Sequence, residues 1–130
     1  MSDREHALVL LASAQRDVLA LRAMSDPGAF ADEIFGFHAQ QSVEKALKAW
    51  IAWRGERYPR SHDIMALIDV LDGVGEDTAD LEGFVDLATF AVQYRYLALP
   101  DEEEPLDRED LIRRIGALHE RVASVVGTPP

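Results

Sequence analysis

The stretch Phe37-His38-Ala39-Gln40-Gln41-Ser42-Val43-Glu44-Lys45-Ala46-Leu47-Lys48 decides the fold of this chain. Apolar residues recur in it at the three- and four-residue spacing of a helix face. Gln40 and Gln41 interrupt that face in mid-helix, and Glu44 precedes Lys48 in the order that favours a helical ion pair. The polar break predicts that the two glutamines are buried in hydrogen bonds to another helix or to a partner.

The same helical periodicity runs along most of the 130 residues. It predicts five helices joined by short connections, with ranges of about 3–23, 27–53, 62–71, 78–97 and a last helix that begins near Asp107, its capping residue. No segment shows the sustained alternation of a strand. The sequence therefore predicts a single domain over residues 1–130, an all-α, up-and-down helical bundle.

Composition removes several classes of function. The chain has no cysteine, which excludes disulfides and thiolate chemistry and fits a reducing cytoplasm. No apolar run approaches the roughly 20 residues of a membrane span, and the charged N-terminus does not resemble a signal peptide. The sequence lacks phosphate-cradling glycine motifs and the Glu-x-x-His pairs of di-iron bundles. We therefore expect a cytoplasmic protein with no membrane contact, no metal and no cofactor.

The net charge of −11 is unevenly distributed. Residues 45–60 hold five basic side chains and one acid, whereas residues 76–110 hold twelve acids and two bases. The five basic residues are candidates for binding a phosphate group: Lys45, Lys48, Arg54, Arg57 and Arg60. The alternative interpretation is two solvated faces of opposite sign.

Three motifs, taken in order and spacing, resemble the HEPN domain family (higher eukaryotes and prokaryotes nucleotide-binding). They are Phe37-x-Ala39-Gln40-Gln41-x-x-Glu44-Lys45-Ala46-Leu47-Lys48-Ala49, then Pro59-x-Ser61-His62-Asp63-Ile64, and then Tyr94-Arg95-Tyr96. The resemblance implies a HEPN-like bundle that forms a homodimer. It also implies pairing with a minimal nucleotidyltransferase in a two-gene toxin–antitoxin system. In that framework Gln40, Gln41, Glu44, Asp63 and Tyr96 are structural or partner-facing polar residues.

Many HEPN proteins are metal-independent ribonucleases whose Arg-x(4–6)-His motifs meet across the dimer, and this chain departs from that pattern. Arg95 best matches the motif arginine, but no histidine occurs in residues 96–105. The spacing recurs at Arg57-x4-His62, and also from Arg113 and Arg114 to His119, about as often as chance predicts. Arg114 and His119 lie within one helix and are expected to point in different directions.

The chemistry of RNA cleavage favours His62 among these candidates. A base must remove the 2′-hydroxyl proton, and cationic donors must stabilise the phosphorane charge. His62 can remove the proton, and Arg57 or Arg60 of the same loop can stabilise the phosphorane charge, with Arg95 as a further candidate. The alternative is a histidine that only helps to begin the third helix, with Asp63 as its partner. Tyr58, Trp50 and Trp53 are candidates for stacking on a base, although Trp50 is expected to pack in the core.

Three hypotheses follow from the sequence. The first is a toxin-type interaction module that binds a nucleotidyltransferase and acts on RNA. The second is a ribonuclease that is active by itself, through Arg95 with a histidine from elsewhere or through Arg57 and His62. The third is a non-enzymatic module that binds a nucleotide or another phosphate ligand at the basic residues.

Overall fold

The computed structural model describes residues 2–87 and 106–127. These residues form four α-helices and one 3-10 helix: α1 (Asp3–Ala23), α2 (Asp32–Trp53), α3 (Ile64–Gly73), the 3-10 helix (Ala79–Leu87) and α4 (Arg108–Val126). The described part of the chain contains no strand. The prediction of an all-α helical bundle is confirmed.

Helix α2 is the centre of the bundle. It packs against α1 and α4 on one side and against α3 and the 3-10 helix on the other. Helix α1 runs antiparallel to it, since Arg4 lies over the Trp53 ring and the carbonyl oxygen of Ala14 accepts from Ser42. Because other helices surround α2, most of its circumference is buried, including Phe35, Val43, Leu47, Trp50 and Ile51.

Helix α4 runs parallel to α2 and closes the bundle. Its first residue, Arg108, pairs with Asp32 at the start of α2, and His119 reaches Ser42 further along. Asp107 caps α4, as predicted, by accepting a hydrogen bond from the backbone N–H of Asp110 at 3.1 Å. The stripe of Ile115, Leu118 and Val122 faces the core, as its spacing predicts.

The start of α2 differs from the prediction. The sequence predicts a helix from Pro27, where proline is favourable at a first helical position. Instead, Asp26 closes a separate turn, because its carboxylate accepts from Gly28 and its carbonyl oxygen accepts from Ala29 and Phe30. The backbone is then extended at Ala31 (ψ 154°), and α2 begins at Asp32.

The predicted α-helix over 78–97 is also corrected where the structure describes it, because Ala79–Leu87 is a 3-10 helix. Leu81, Phe84 and Leu87 are all buried, and they are spaced by three residues. A 3-10 helix has three residues per turn, so this spacing places them on one face, whereas an α-helix would rotate them apart. Residues 88–97 of that prediction lie outside the described residues.

The helix ends lie near glycines and caps. Gly55, with φ +76°, follows α2, in agreement with its prediction as a terminator. Helix α3 begins two residues later than predicted, because the Asp63 side chain caps it by accepting from the N–H of Met65 at 3.0 Å. Within the described residues, no helix has both the length and the apolar character needed to cross a membrane.

Candidate functional site

The candidate site is built around the carboxylate of Glu44, which is buried in α2. Lys48 donates to it at 2.6 Å and the Gln40 side chain at 2.7 Å. The ring nitrogen Nδ1 of His62 lies 3.1 Å from each carboxylate oxygen. A buried carboxylate is stable only when its oxygens are paired, and here three groups from α2 and the following loop pair with it. We call Gln40, Glu44, Lys48 and His62 the Glu44 cluster.

The position of His62 is fixed by its backbone as well as its ring. The Gln40 amide donates to the carbonyl oxygen of His62 at 2.9 Å. Next to it, the Ser61 hydroxyl accepts from the N–H of Asp63 at 3.0 Å, and Asp63 caps α3. The sequence predicts that Gln40 and Gln41 are buried in hydrogen bonds to another helix or to a partner. Gln40 is fully buried, but its bonds are to Glu44 and Gln41 of the same helix and to the loop carbonyl of His62. Gln41 is only half-buried and donates to Gln40 at 2.8 Å.

This arrangement gives His62 one buried end and one open end. Its side chain is 63% exposed, while that of Glu44 is 5% exposed. With Nδ1 donating to the carboxylate, the neutral ring carries its proton on Nδ1 and presents Nε2 as an acceptor. A histidine oriented by a carboxylate and open to solvent can take a proton from a substrate hydroxyl.

The cluster extends to α1 through Tyr58. The Lys48 ammonium lies 5.4 Å from the Tyr58 ring centroid, and the Tyr58 hydroxyl lies 2.6 Å from Nε2 of His6. The His6 and Tyr58 rings are stacked with their centroids 6.1 Å apart. Lys48 and His6 therefore both contact the Tyr58 ring, which the sequence predicts as a candidate for stacking on a base.

The two tryptophans are also engaged. Trp50 is 1% exposed, so its expected place in the core is confirmed. Trp53 is half-buried, with the Arg4 guanidinium 4.7 Å from the centroid of its ring.

Three of the five basic candidates are paired with acids, two of which come from other segments and one from the same helix. Lys45 donates to Asp17 at 2.8 Å, Lys48 belongs to the Glu44 cluster, and Arg54 contacts the Glu76 carboxylate. Arg57 and Arg60 are exposed, and neither forms a hydrogen bond or ion pair with the part of the chain that is described. The charge available to a ligand near His62 is therefore carried by Arg57 and Arg60. Arg95 and Tyr96 lie outside the described residues.

His119, which the sequence pattern indicated only as a spacing match, is a buried histidine outside the Glu44 cluster. It lies in the apolar stripe of α4, 5% exposed, and its Nε2 is 2.9 Å from the Ser42 hydroxyl. Burial lowers the pKa of His119, an effect opposed in part by its hydrogen bond with Ser42 and by the Asp17 carboxylate. Arg114 instead lies against Phe84, so the expectation that it and His119 point in different directions agrees with the structure.

Two further observations bear on the kind of site. No group of three or more histidine or acidic side chains among the described residues is arranged to hold a metal ion. Nδ1 of His119 is buried and has no hydrogen-bond partner within the described part of the chain. The geometry that supports chemistry is therefore the exposed imidazole of His62 above the buried carboxylate of Glu44.

The family model described as the HEPN domain matches residues 7–125 of the chain. Neither a curated protein nor a solved structure matches it. The matched range includes the whole Glu44 cluster and His119.

Proposed function

The chain belongs to the HEPN domain family, and we propose that it is the toxin-type member of a pair formed with a minimal nucleotidyltransferase, acting on RNA in the cytoplasm. The observation that supports action on RNA is the pairing of an exposed His62 with a buried Glu44 at 3.1 Å. Pairing with the nucleotidyltransferase rests on the resemblance of the three sequence motifs to the family.

The chemistry assigned to His62 is proton removal. In its neutral form Nε2 accepts the proton of an RNA 2′-hydroxyl, and the resulting oxygen attacks the adjacent phosphorus. The bond from phosphorus to the 5′-oxygen breaks, which leaves a 2′,3′-cyclic phosphate, and the departing 5′-oxygen takes up a proton from water. The imidazolium that forms is stabilised by Glu44. Glu44 is therefore a positioning residue, and His62 is the catalytic residue of the proposal.

The charge on the attacked phosphate requires a cation. Arg57 and Arg60 are the exposed arginines of the same loop, and neither is neutralised by a described acid. Arg95 is the third candidate, because the family motif implies that an arginine acts across a homodimer. In that arrangement two copies of the chain associate, and each Arg95 serves a site that includes His62.

The test is induction of this chain alone and together with the product of the neighbouring reading frame. Expressed alone, the chain should slow growth and degrade RNA, whereas the co-expressed partner should restore growth and co-purify with it. His62→Ala should abolish RNA loss, and the matched variant His38→Ala, on α2 and away from the loop, should retain it. Intact RNA with the wild type, or full activity of His62→Ala, contradicts the ribonuclease; failure of the two products to associate contradicts the pairing.

The exposed pair Arg57 and Arg60 also favours a second candidate function, the non-enzymatic binding of a phosphate ligand. Because pairing of arginines with a phosphate ligand releases bound counterions, such binding should weaken as the salt concentration increases. A titration with a nucleoside triphosphate at two salt concentrations distinguishes the two candidate functions. A binding module is supported if the affinity falls with salt, if Arg57→Ala weakens binding and if His62→Ala leaves it unchanged. The wild type should then also cause no loss of RNA. Arg16→Ala, an exposed arginine on α1, is the matched control.

A further inference from the structure

A pocket of about 160 Å³ lies between the 3-10 helix and α4, away from the Glu44 cluster. Apolar side chains form its floor and two arginines of α4 stand over it. Its main lining residues are Asp80, Leu81, Phe84, Arg114, Leu118 and Arg121. The proposed action on RNA uses none of them.

Arg114 is held in place by packing, and no group in residues 2–87 or 106–127 accepts a hydrogen bond from its guanidinium. Its guanidinium carbon lies 5.0 Å from the centroid of the Phe84 ring. A side chain at position 83 would collide with this guanidinium, so Gly83 allows Arg114 to lie against the 3-10 helix. Among the described residues, the carboxylate nearest to it is that of Asp110, 3.8 Å away, which is beyond hydrogen-bond length.

Arg121 is fixed at the other end of the pocket. Its guanidinium carbon lies 4.5 Å from the Trp50 ring centroid, and it donates to the carbonyl oxygen of Asp77. Asp80 is 3.5 Å away, and its side chain is 75% exposed. An exposed ion pair at this distance is weak, so a ligand carboxylate can replace Asp80. Stacked guanidinium groups have already lost much of their freedom, which reduces the entropy lost when they bind an anion.

The distance between Arg114 and Arg121 and the apolar residues between them indicate what kind of ligand fits the pocket. Arg114 and Arg121 are seven residues apart on one helix, or about 10.5 Å along its axis. Between them lie Leu81, Phe84 and Leu118, each less than 5% exposed. A ligand that matches both features has an anionic group at each end and an apolar middle.

We propose that this pocket binds a small linear dicarboxylate, with one carboxylate on Arg114, the other on Arg121, and the hydrocarbon spacer over the apolar floor. Arginine forks pair with carboxylates in bidentate geometry, which gives each end a directional contact. The Asp80 carboxylate competes with the ligand for Arg121.

The test is a calorimetric titration of the purified chain with linear dicarboxylates from succinate to suberate. Binding should be saturable and should pass through an optimum at an intermediate spacer length. Arg114→Met and Arg121→Met keep the packing on the aromatic rings but remove the charge, and each should weaken binding about tenfold or more. Asp80→Asn should strengthen binding several-fold, because it removes the competing carboxylate.

Arg113→Met is the matched control, because Arg113 lies on the same helix with its side chain 75% exposed. It should leave the affinity unchanged, and circular dichroism should show that all four variants are folded. Three results would overturn the proposal: no saturable binding of any member of the series, equal affinity at every spacer length, or equal weakening by Arg113→Met and Arg114→Met. The last two would indicate general attraction to positive charge.

Discussion

The side-chain amide of Gln40 donates a hydrogen bond to the backbone carbonyl oxygen of His62, and the two atoms are 2.9 Å apart. This bond joins the middle of the central helix to a loop 22 residues later. The same amide nitrogen donates to Glu44, so a single buried side chain orders both the carboxylate and the histidine above it.

Replacing Gln40 with methionine should destabilise the bundle by about 2 kcal/mol. The change keeps the length of the side chain but leaves the carbonyl oxygen of His62 and a buried Glu44 oxygen without this donor, and unmet buried polar groups cost roughly 1–3 kcal/mol. Urea denaturation followed by circular dichroism measures the loss. Gln41→Met is the control, because Gln41 is only partly buried and should cost less than half as much. Equal losses for the two variants would contradict a special role for Gln40.

Arg108 is a buried cation that connects the start of α4 to the segment before α2. It donates to the carbonyl oxygens of Met24 and Phe30 and to the Asp32 carboxylate, at 2.6–2.8 Å. Arg108→Met should lower the free energy of unfolding by about 3 kcal/mol, because it leaves Oδ1 of Asp32 and two carbonyl groups without their donor. Arg108→Lys keeps the positive charge but not the planar guanidinium with its several N–H donors, so it should recover only part of the lost stability.

Urea denaturation measures both Arg108 variants. Arg113→Ala is the control for them, because it removes only an exposed ion pair with Asp110 and should cost less than about 0.5 kcal/mol. Full recovery by lysine would show that charge alone, without the fork geometry, accounts for the effect.

Two glycine substitutions should change stability in opposite directions. Gly116 lies in mid-helix in α4, and an added Cβ would meet nothing within 4 Å. Gly116→Ala should therefore stabilise the chain by about 0.5–1 kcal/mol. Gly55 has φ +76°, so Gly55→Ala should destabilise it by about 1 kcal/mol although space is available. Thermal melts of the two variants check the signs, and a shift in the same direction for both would contradict the argument.

The buried His119 should make stability depend on pH below neutrality. Its pKa is lowered from the usual value of about 6.5, so the folded state resists protonation while the unfolded state does not. At pH 7.5 the ring is neutral in both states and contributes no pH dependence. As the pH falls through 6.5 the unfolded state binds the extra proton, and the free energy of unfolding decreases by up to about 1.4 kcal/mol per pH unit.

His119→Gln removes that titration and isolates it from the other groups. Urea denaturation at pH 7.5, 6.5 and 5.5 should show the wild type losing more stability than the variant as the pH falls. The Asp17 carboxylate partly offsets the effect by raising the pKa of His119. Parallel stability curves for wild type and variant would mean that His119 is not held neutral by the fold.

The fold was predictable from the sequence where one helix face is apolar and a cap or glycine marks its end. The bounds of α1, the Asp107 cap and the central place of α2 all follow from such local signals. The 3-10 helix was not predicted because the spacing of Leu81, Phe84 and Leu87 does not distinguish the two helix types. Over so few turns, apolar residues three apart fit both the period of 3.0 of a 3-10 helix and the period of 3.6 of an α-helix. The start of α2 was predicted wrongly because Asp26 accepts hydrogen bonds from the N–H groups that follow it, which forms a turn instead of the first turn of a helix.

The candidate site was predictable only in its local part. The pairing of Glu44 with Lys48 follows from their spacing on one helix. The approach of His62 to Glu44 depends on how the loop docks, which no local pattern encodes. The acidic partners of Lys45 and Arg54 could not be predicted for the same reason, because Asp17 and Glu76 reach them from distant segments. Burial of His119 beside Ser42 gave no signal beyond a histidine within an apolar stripe.

The Arg108 contacts have a consequence for the order of events during synthesis. A domain folds as a unit, and because synthesis starts at the N-terminus, the residues of α1 and α2 are made long before those of α4. The carbonyl groups of Met24 and Phe30 accept from Arg108, which follows them in the sequence by 84 and 78 residues. The α1–α2 corner therefore reaches its final form only when α4 docks. Formation of the Arg108 contacts is the step that completes the bundle during synthesis.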